Sequence, residues 1–329
     1  MDSRISPWIS EPVRRKAFLE QYWYYAVELA QGLMTPGQRF PNVALTRDLL
    51  SRVDLAGTRC LDIGTMEGLV PVLLKRRGAD DVVAVDGLDF SDKIACVKAA
   101  YGVDFAYLPN VMSGSMLRAL DERFAGETTR YRYAGGIRPQ RSFDVVVCSG
   151  VLYHVFSPFH VLATARSALR NGGLLIIETA ALPLDAYMMQ YNFAGTGYVL
   201  GPSDTWFPTV PLLDHFLRFL KLIPLDACWL PAGDHLIRFA CIARAAGHRP
   251  TLPQETLMEQ ATWNLEYDTL LRSDFALDGG TAPVAYATAD AKPVYRPGLG
   301  TCDLHATMRA RKPLEPTTDM VELHLDQTT

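Results

Sequence analysis

The stretch Cys60-Leu61-Asp62-Ile63-Gly64-Thr65-Met66-Glu67-Gly68 decides the fold of this chain. An apolar run leads into an acidic residue and a glycine turn, and a helical pattern over Leu69–Arg77 follows. Gly64 lets the backbone turn sharply where a Cβ atom would clash with a ligand, and Gly68 allows close approach at the helix start. The order of strand, glycine turn and helix predicts the first unit of an α/β fold with a ligand at the turn.

A second acidic residue, Asp86, lies about twenty residues after Gly64, at the end of the predicted strand Val82–Val85. In a doubly wound sheet, a carboxylate at that place can accept hydrogen bonds from both hydroxyls of a ribose. The turn and the carboxylate together predict an adenosine-containing cofactor. A plain glycine-containing turn between strand and helix is the alternative interpretation.

The loop between the two glycines indicates which cofactor this is. A dinucleotide site needs a glycine near position 66 to make room for pyrophosphate, and this chain has Met66 there. The carboxylates of Asp62 and Glu67 would also repel pyrophosphate. They suit a ligand with an ammonium and a sulfonium centre, which predicts S-adenosylmethionine with Asp62 close to its amino-acid end.

Short β-branched runs alternate with helical patterns over residues 58–245, which predicts βαβ units and a parallel sheet. The predicted strands are Arg59–Ile63, Asp81–Val85, Val103–Leu108, Phe143–Cys148, Leu174–Thr179, Leu225–Leu230 and Ile237–Ala243. The predicted fold class is therefore α/β, with a doubly wound, seven-stranded, Rossmann-like sheet. Residues 1–57 are helix-like and rich in aromatic residues, which predicts an N-terminal helical lid. Residues 113–142 form an insertion, and residues 246–329 form a C-terminal extension whose last dozen residues are expected to be poorly ordered.

The composition is that of a globular protein, because 49% of the 329 residues are hydrophobic and 21% are charged, which excludes wholesale disorder. The net charge of −4 gives no global positive field toward nucleic acid or anionic membranes. No apolar stretch has the roughly 18–20 residues of a membrane span, and no secretory signal is expected. Six scattered cysteines without a CxxC pair predict reduced thiols in the cytoplasm.

Two sets of motifs carry a family resemblance. Residues 62–68, 76–79 and 83–86 resemble motif I of class I S-adenosylmethionine-dependent methyltransferases and the acidic residue that follows it. More narrowly, Gly150–His154 followed by Ser157 and a proline is similar to the tRNA wobble-uridine carboxymethyl- and methyltransferase-like family. The resemblance implies a class I methyltransferase sheet that holds S-adenosylmethionine.

Further segments indicate a branch within that family. The segment from Trp23 through Gly37 resembles a bacterial branch whose members often act on small molecules, whereas Arg309–Pro313 is similar to the end of the RNA-acting members. Relatives that transfer a carboxymethyl group hold its carboxylate with a lysine upstream of motif I, and this chain has no lysine between Lys16 and motif I. The resemblance therefore implies ordinary methyl transfer.

The resemblance also assigns cofactor contacts, at the carboxyl ends of the first, second and fourth strands. The implied residues are Asp62, Gly64, Thr65 and Gly68 at the methionine end, Asp86 and Gly87 at the ribose, Asn110 near the adenine, and Ser149 and Gly150 beneath the cofactor.

Three side chains are candidates for catalysis, and two of them, Tyr153 and His154, would face the acceptor. His154 either takes a proton from the attacking hydroxyl or amine or packs to shape the site. Tyr153 would orient the acceptor as a hydrogen-bond donor, and Glu178 either pairs with a cation or hydrogen-bonds the acceptor. Aromatic side chains are predicted to roof a pocket for an apolar or aromatic acceptor: those of the run Tyr22–Tyr25, in particular Tyr22 and Tyr25, and those of Trp206 and Phe207. The remaining histidines show no ligand spacing, so no metal is expected.

The expected function is in-line methyl transfer from S-adenosylmethionine to a small molecule, with secondary-metabolite tailoring as the setting. One alternative is a tRNA wobble-uridine methyltransferase, which would use the only basic stretch, Arg118–Arg141. The other is a non-catalytic cofactor-binding module that acts through partner contacts. A membrane partner is not expected, and the sequence leaves a homodimer open.

Overall fold

A seven-stranded sheet forms the centre of the molecule. The computed structural model describes residues 7–124, 130–133, 136–139, 143–192, 204–246, 282–297 and 300–326. In chain order the strands are β1 (Ala26–Ala30), β2 (Leu33–Met34), β3 (Arg59–Ile63), β4 (Asp81–Val85), β5 (Ala106–Leu108), β6 (Arg130–Tyr133), β7 (Gly136–Pro139), β8 (Phe143–Ser149), β9 (Leu169–Ala181), β10 (Met189–Tyr191), β11 (Trp206–Pro208), β12 (Leu222–Pro231), β13 (Ile237–Ala245) and β14 (Glu322–Leu323). The helices are α1 (Pro7–Ser10), α2 (Pro12–Leu19), α3 (Asn42–Ser51), α4 (Leu69–Arg76), α5 (Ser91–Tyr101), α6 (Met116–Arg123), α7 (Pro158–Ala168), α8 (Val210–Phe219), α9 (Leu304–Ala310) and α10 (Thr318–Val321), with one 3₁₀ turn at Leu152–His154.

The strand order across the sheet is β12-β13-β9-β8-β3-β4-β5. Neighbouring strands from β9 through β5 run parallel, whereas β13 runs antiparallel to both β9 and β12. The chain changes direction across the sheet between β3 and β8, and ligands of open α/β sheets bind in the crevice at the carboxyl ends of such strands. The prediction of a doubly wound, seven-stranded sheet is confirmed. The sheet is mixed rather than parallel, because β13 is inserted as a reversed strand.

Each face of the sheet carries its own hydrophobic core, because successive side chains of a strand point to opposite faces. Val146 and Leu175 pack on one face with residues of α6, α7, α8 and α9. Val145, Val147 and Ile176 pack on the other face with residues of α3, α4 and α5. Helices on both faces explain why these strands are continuous apolar runs in the sequence.

The N-terminal region combines short helices with a hairpin. Its helical prediction is correct for α1, α2 and α3, but the segment between α2 and α3 forms β1 and β2. Val27 and Leu29 of β1 are buried in the core that contains α3, α4 and α5. β1 also pairs in parallel with β14, from near the C-terminus. The predicted helical lid is therefore wrong for this segment, because pairing with a distant strand overrides the local pattern.

The C-terminal segment packs against the same side of the molecule. The expectation of poor order is wrong for residues 318–326, which form α10 and β14. The Arg76 guanidinium donates hydrogen bonds to the carbonyls of His324 and Leu325, at 2.9 and 2.6 Å. These bonds fasten the segment to the end of α4. Residues 247–281 of the C-terminal extension lie outside the described residues.

The insertion at residues 113–142 is described as α6 and the hairpin of β6 and β7, and its other parts lie outside the described ranges. All six cysteines are buried, and none of them forms a disulfide. Within the ranges described, no helix is long and apolar enough to cross a bilayer. The same ranges contain no group of three His, Cys, Asp or Glu side chains that could hold a metal ion.

Candidate active site

A cavity of about 560 Å³ opens at the carboxyl ends of β3, β4 and β8. The predicted site residues that line it are Tyr22, Tyr25, Gly64, Asp86, Gly87, Ser149, Gly150 and His154. The predicted site residues that do not line it are Asp62, Thr65, Gly68, Asn110, Tyr153, Glu178, Trp206 and Phe207. The volume suits a drug-sized ligand, and its position is the crevice that the strand order predicts.

The turn after β3 forms the floor of the cavity. Gly64 has a left-handed φ of +79°, and a Cβ atom there would lie 2.3 Å from Cγ2 of Val151. Its N–H donates to the carbonyl of Val85 at 2.9 Å, which ties the turn to the end of β4. Met66 also has a positive φ, of 49°. The chain is therefore held tightly against both neighbouring strands where the ligand would bind.

Asp86 follows β4 and lines the cavity. Its two carboxylate oxygens accept hydrogen bonds from the N–H groups of Met66 and Leu88, each at 2.9 Å. Burial raises the pKa of Asp86, and these backbone donors offset part of that change. A carboxylate accepts about four hydrogen bonds, so Asp86 retains lone pairs for a ligand. This arrangement fits the predicted contact with ribose hydroxyls.

Asp62 lies behind the cavity wall and is 1% exposed. Its Oδ2 atom has no hydrogen-bond partner among the described residues. Burial raises the pKa of Asp62 to about 7, with the nearby Thr65 hydroxyl lowering it and Asp86 raising it. An unpaired buried carboxylate is costly, and a cationic ligand group would relieve that cost.

Gly68 packs against α5 and not against the cavity, because its Cβ position is 2.8 Å from Cδ1 of Ile94.

Glu67 faces the N-terminal segment rather than the cavity. Its Oε1 atom accepts a hydrogen bond from the Tyr24 N–H at 2.7 Å and lies 3.6 Å from Nζ of Lys93. Its Oε2 atom is buried and has no hydrogen-bond partner among the described residues. The carboxylate fastens the segment before β1 to the turn after β3, and its role toward a cationic ligand stays a prediction.

That segment supplies three tyrosines to the cavity wall. Tyr22 and Tyr25 line the cavity as predicted, and Tyr24 lines it as well. The Tyr24 ring stacks on Phe40 with 4.3 Å between ring centroids. Asn42, the first residue of α3, is a further wall residue. Sequence reasoning missed Asn42 as a site residue, because a polar residue at a helix start carries no signal for a distant ligand.

A buried charged network lies behind the wall. The Arg238 guanidinium donates to both carboxylate oxygens of Glu178, each at 2.7 Å, and to the hydroxyl of Tyr153 at 3.2 Å. Its carbon also lies 4.5 Å from the centroid of the Tyr153 ring. Burial opposes the charge on Arg238, but Glu178 and Tyr153 outweigh it and raise the pKa of Arg238. Glu178 thus pairs with a cation, one of the two predicted alternatives, and the arginine that it binds was missed.

His154 lines the cavity beside this network. Its Nδ1 atom lies 3.1 Å from Oδ1 of Asp204, and the His154 side chain is 41% exposed while that of Asp204 is 4% exposed. The N–H of Thr205 donates to the carbonyl of Tyr153 at 2.6 Å, which holds the two segments together. Sequence reasoning missed Asp204 because it lies about fifty residues after His154.

The aromatic residues of β11 do not roof the cavity. Phe207 is fully buried in a small core with Tyr153, Ala180, Leu182 and Leu236. Trp206 instead contacts Tyr191 and Phe156, with centroid distances of 4.8 and 6.4 Å. Adjacent strand residues point to opposite faces, so both could not face one pocket.

Asn110 is exposed, with a left-handed φ of 58°. Its neighbour Val111 lines the cavity in its place. The loop after β5 therefore reaches the cavity through Val111, Met112 and Ser113 instead of Asn110.

Comparison with known sequences places this geometry in a family. A family model described as a methyltransferase domain matches residues 37–233. The tRNA U34 carboxymethyltransferase of Pseudomonas syringae pv. tomato is 30% identical over 176 residues, which cover 50% of this chain and 46% of that protein. The protein of the same name from Stutzerimonas stutzeri is 30% identical over 178 residues, covering 50% and 45%. The chain thus spans about half the length of the curated relatives that it matches.

Comparison with solved structures supports the fold. The N-terminal domain of EvdMO1 with SAH bound is 17% identical, with a TM-score of 0.50, and the match covers 74% of this chain and 100% of that chain. The prediction of a Rossmann-like methyltransferase sheet is confirmed by the strand order and this likeness, and the matched family model shows a methyltransferase domain. The chain belongs to the methyltransferase-domain family.

Proposed function

We propose that this chain transfers a methyl group from S-adenosylmethionine to a neutral, apolar or aromatic small molecule. The observation that carries the proposal is the charge of the cavity wall. Asp86 lines the cavity. The described residues of the cavity wall include no lysine and no arginine. The wall therefore favours a cationic cofactor and gives an anionic acceptor no partner.

The residues present fit the cofactor that the family implies. When bound, S-adenosylmethionine supplies a methyl group on a sulfonium centre. Asp86 has carboxylate lone pairs left for the ribose, and the unpartnered Oδ2 of Asp62 is the candidate partner for the cationic amino-acid end. Gly64 and Gly150 keep the floor of the cavity free of side chains.

The same wall favours methyl over carboxymethyl transfer. A carboxylate on the transferred group would need a cation in the cavity, because burying an unpaired charge is costly. Arg238 is a cation behind the wall, and both oxygens of Glu178 already hold its guanidinium. The absence of a lysine upstream of motif I supports the same conclusion, that the transferred group is a methyl group.

Apolar side chains support an apolar or aromatic acceptor. The cavity wall includes Val111, Met112 and Val155. Next to Val155, Phe156 is 80% exposed and its ring meets that of Trp206. Phe156 thus exposes an aromatic ring next in sequence to a wall residue, and such a ring offers stacking surface for a planar ligand. Such acceptors are typical of secondary-metabolite tailoring, which we propose as the setting.

A tRNA wobble uridine is the second candidate acceptor. The 30% identity to tRNA U34 carboxymethyltransferases over half of the chain favours it. In the insertion, however, Arg118 lies 3.9 Å from Glu122 and Arg123 lies over the ring of Phe124, so these two cations already have local partners. The side chains of Arg130–Pro139 lie outside the described part of the chain.

Calorimetry with S-adenosylmethionine and S-adenosylhomocysteine tests the cofactor. Asp86→Ala should weaken binding by about 1–3 kcal/mol, since ribose hydroxyls would lose their acceptor. Asp89→Ala is the matched control, because Asp89 is exposed and bonds only Ser91 locally. Unchanged affinity in Asp86→Ala would contradict the ribose assignment.

A screen of neutral aromatic acceptors tests the substrate class. Mass spectrometry detects methylation as a mass increase of one CH2 group. Binding of bulk tRNA with a steep salt dependence would favour the second candidate instead. Cofactor binding without turnover on either class would favour a non-catalytic module.

A further inference from the structure

His154 and Asp204 meet at the cavity wall although they come from different segments of the chain. We propose that His154 is the base that takes the proton from a hydroxyl of the acceptor, and that Asp204 is the residue that positions it. The reaction is then O-methylation, and the acceptor is a phenol or a similar hydroxyl-bearing aromatic compound. This inference rests on the proposed methyltransferase function.

The pair is built into the fold rather than formed by chance at the surface. Asp204 is 4% exposed, and its backbone carbonyl accepts a hydrogen bond from Nδ2 of Asn192 at 3.0 Å. The N–H of Asn192 donates to the carbonyl of Thr205 at 2.8 Å, and Thr205 in turn bonds the carbonyl of Tyr153. The hairpin of β10 and β11 therefore places the carboxylate against the 3₁₀ turn that carries His154.

The geometry selects one form of the imidazole ring. Asp204 lies 3.1 Å from Nδ1, so an ionised carboxylate there accepts the Nδ1–H of a neutral ring. The lone pair is then on Nε2, which is the nitrogen that can take a proton. The carboxylate also stabilises the positive charge that the ring gains. The ring also contacts the titratable side chain of Tyr153, at 4.2 Å between ring centroids.

A base at this position distinguishes hydroxyl from amine acceptors. The acceptor oxygen forms its bond to the methyl carbon while the carbon–sulfur bond breaks and its electron pair stays on sulfur. The hydroxyl proton passes to Nε2 of His154, and the product is a neutral ether. A neutral amine would give a stable ammonium ion without losing a proton during attack, so it has no need of the pair.

The surroundings of the pair favour a ring on the acceptor. Phe156 lies two residues after His154, and Trp206 lies two residues after Asp204, with 6.4 Å between their ring centroids. Tyr191 of the neighbouring strand meets Trp206 at 4.8 Å. These rings form an aromatic patch beside the base, and aromatic rings bind one another in edge-to-face or offset arrangements.

The tautomer of His154 can be measured without knowing the acceptor. The chain has seven histidines, and the signal that is lost in His154→Gln identifies His154. Long-range ¹H–¹⁵N spectra of the ligand-free full chain should show this ring in the Nδ1–H form. Asp204→Asn should convert it to the Nε2–H form. A wild-type ring already in the Nε2–H form, or one unaffected by Asp204→Asn, would overturn the pairing.

Kinetics with a series of substituted phenols and the matching anilines test the proton transfer. We expect methylation of the phenols, with kcat lower by about 10²–10⁴-fold in His154→Gln and the smallest loss for the most acidic phenols. Asp204→Asn should lower kcat while the Kd for S-adenosylmethionine stays unchanged, and Asp204→Glu should restore part of the rate. His235→Gln, at an exposed position that does not line the cavity, is the matched control.

The outcomes separate this inference from the proposed function. A wild-type chain that binds S-adenosylmethionine and methylates anilines but not phenols would overturn the hydroxyl assignment alone. If kcat falls less than tenfold in His154→Gln and the loss does not depend on phenol acidity, His154 is not the base and only packs in the site. A wild-type chain that does not bind S-adenosylmethionine would overturn the proposed function itself.

Discussion

The two halves of the cavity are built in different ways. The half that we propose for the cofactor, Gly64 through Gly87, belongs to a single βαβ unit, and it is shaped by backbone turns and one carboxylate. The half that we propose for the acceptor combines side chains from separate segments, namely Tyr24, Asn42 and His154. We call these the cofactor half and the acceptor half. A site made by one continuous unit can be recognised in a sequence, whereas a site assembled by packing cannot.

Their electrostatics differ as well. In the cofactor half, Asp62 and Asp86 are buried carboxylates whose pKa values burial raises, and neither has a cation as partner among the described residues. Behind the acceptor half, Glu178 is matched by Arg238. The cofactor half therefore carries an unfavourable charge that a cationic ligand relieves, while the charges behind the acceptor half are already balanced.

Removing the cation of the ion pair behind the acceptor half should have the largest effect on stability. Arg238→Ala leaves the fully buried Glu178 carboxylate without its cation, so the free energy of unfolding should fall by about 3–5 kcal/mol. Denaturant unfolding measures this loss. Arg118→Ala, which breaks an exposed ion pair, is the control and should change stability by less than about 0.5 kcal/mol.

A double variant sharpens that result. Replacing Glu178 by Leu and Arg238 by Met removes both charges, so it should be less destabilising than Arg238→Ala alone. If Arg238→Ala costs no more than the exposed control, the network does not stabilise the acceptor half.

The glycine turn of the cofactor half can be compared with a glycine that has similar backbone geometry. Gly64 and Gly32 have φ values of +79° and +73°, but nothing lies within 4 Å of a Cβ atom at Gly32, whereas Val151 lies 2.3 Å from that position at Gly64. Both alanine variants strain the backbone, by about 1–2 kcal/mol. Gly64→Ala should lose about 1–3 kcal/mol more, because Val151 must move.

Thermal or denaturant unfolding measures the difference, and adding Val151→Ala to Gly64→Ala should recover most of it. Equal losses in the two single variants would show that the turn is not tightly packed.

Asp62 should make stability fall and affinity for S-adenosylmethionine rise as the pH increases. Its pKa in the folded chain is about 7, above the ordinary 3.8, so its contribution to stability is fully present below about pH 4 and is lost as the pH rises through about 7. Ionised Asp62 is also the form that binds a cation. Affinity for S-adenosylmethionine should therefore rise about tenfold from about pH 6 to about pH 8.

Asp62→Asn should remove both trends, as measured by unfolding and by calorimetry across this pH range. Wild-type affinity that is independent of pH would remove Asp62 as the partner of the cationic end of the cofactor.

The fold was predictable where each element carries its own signal. Arg59–Ile63 and Asp81–Val85 have the predicted bounds, because buried parallel strands are short apolar runs that end in turn residues. The N-terminal hairpin was not predictable in the same way. Its strand β1 pairs with Glu322–Leu323, almost three hundred residues later, and a local pattern contains no information about that partner.

The sequence by itself determined the cofactor half of the site, since Gly64, Asp86 and Gly87 line the cavity through the geometry of one strand–turn–helix unit and the strand beside it. Only the tertiary structure decided the acceptor half. It placed Asn42 on the wall, gave Glu178 its partner Arg238, and set Asp204 against His154. The physical reason is that backbone turns are set by neighbouring residues, whereas contacts between side chains from distant segments exist only once the sheet and its hairpins have packed.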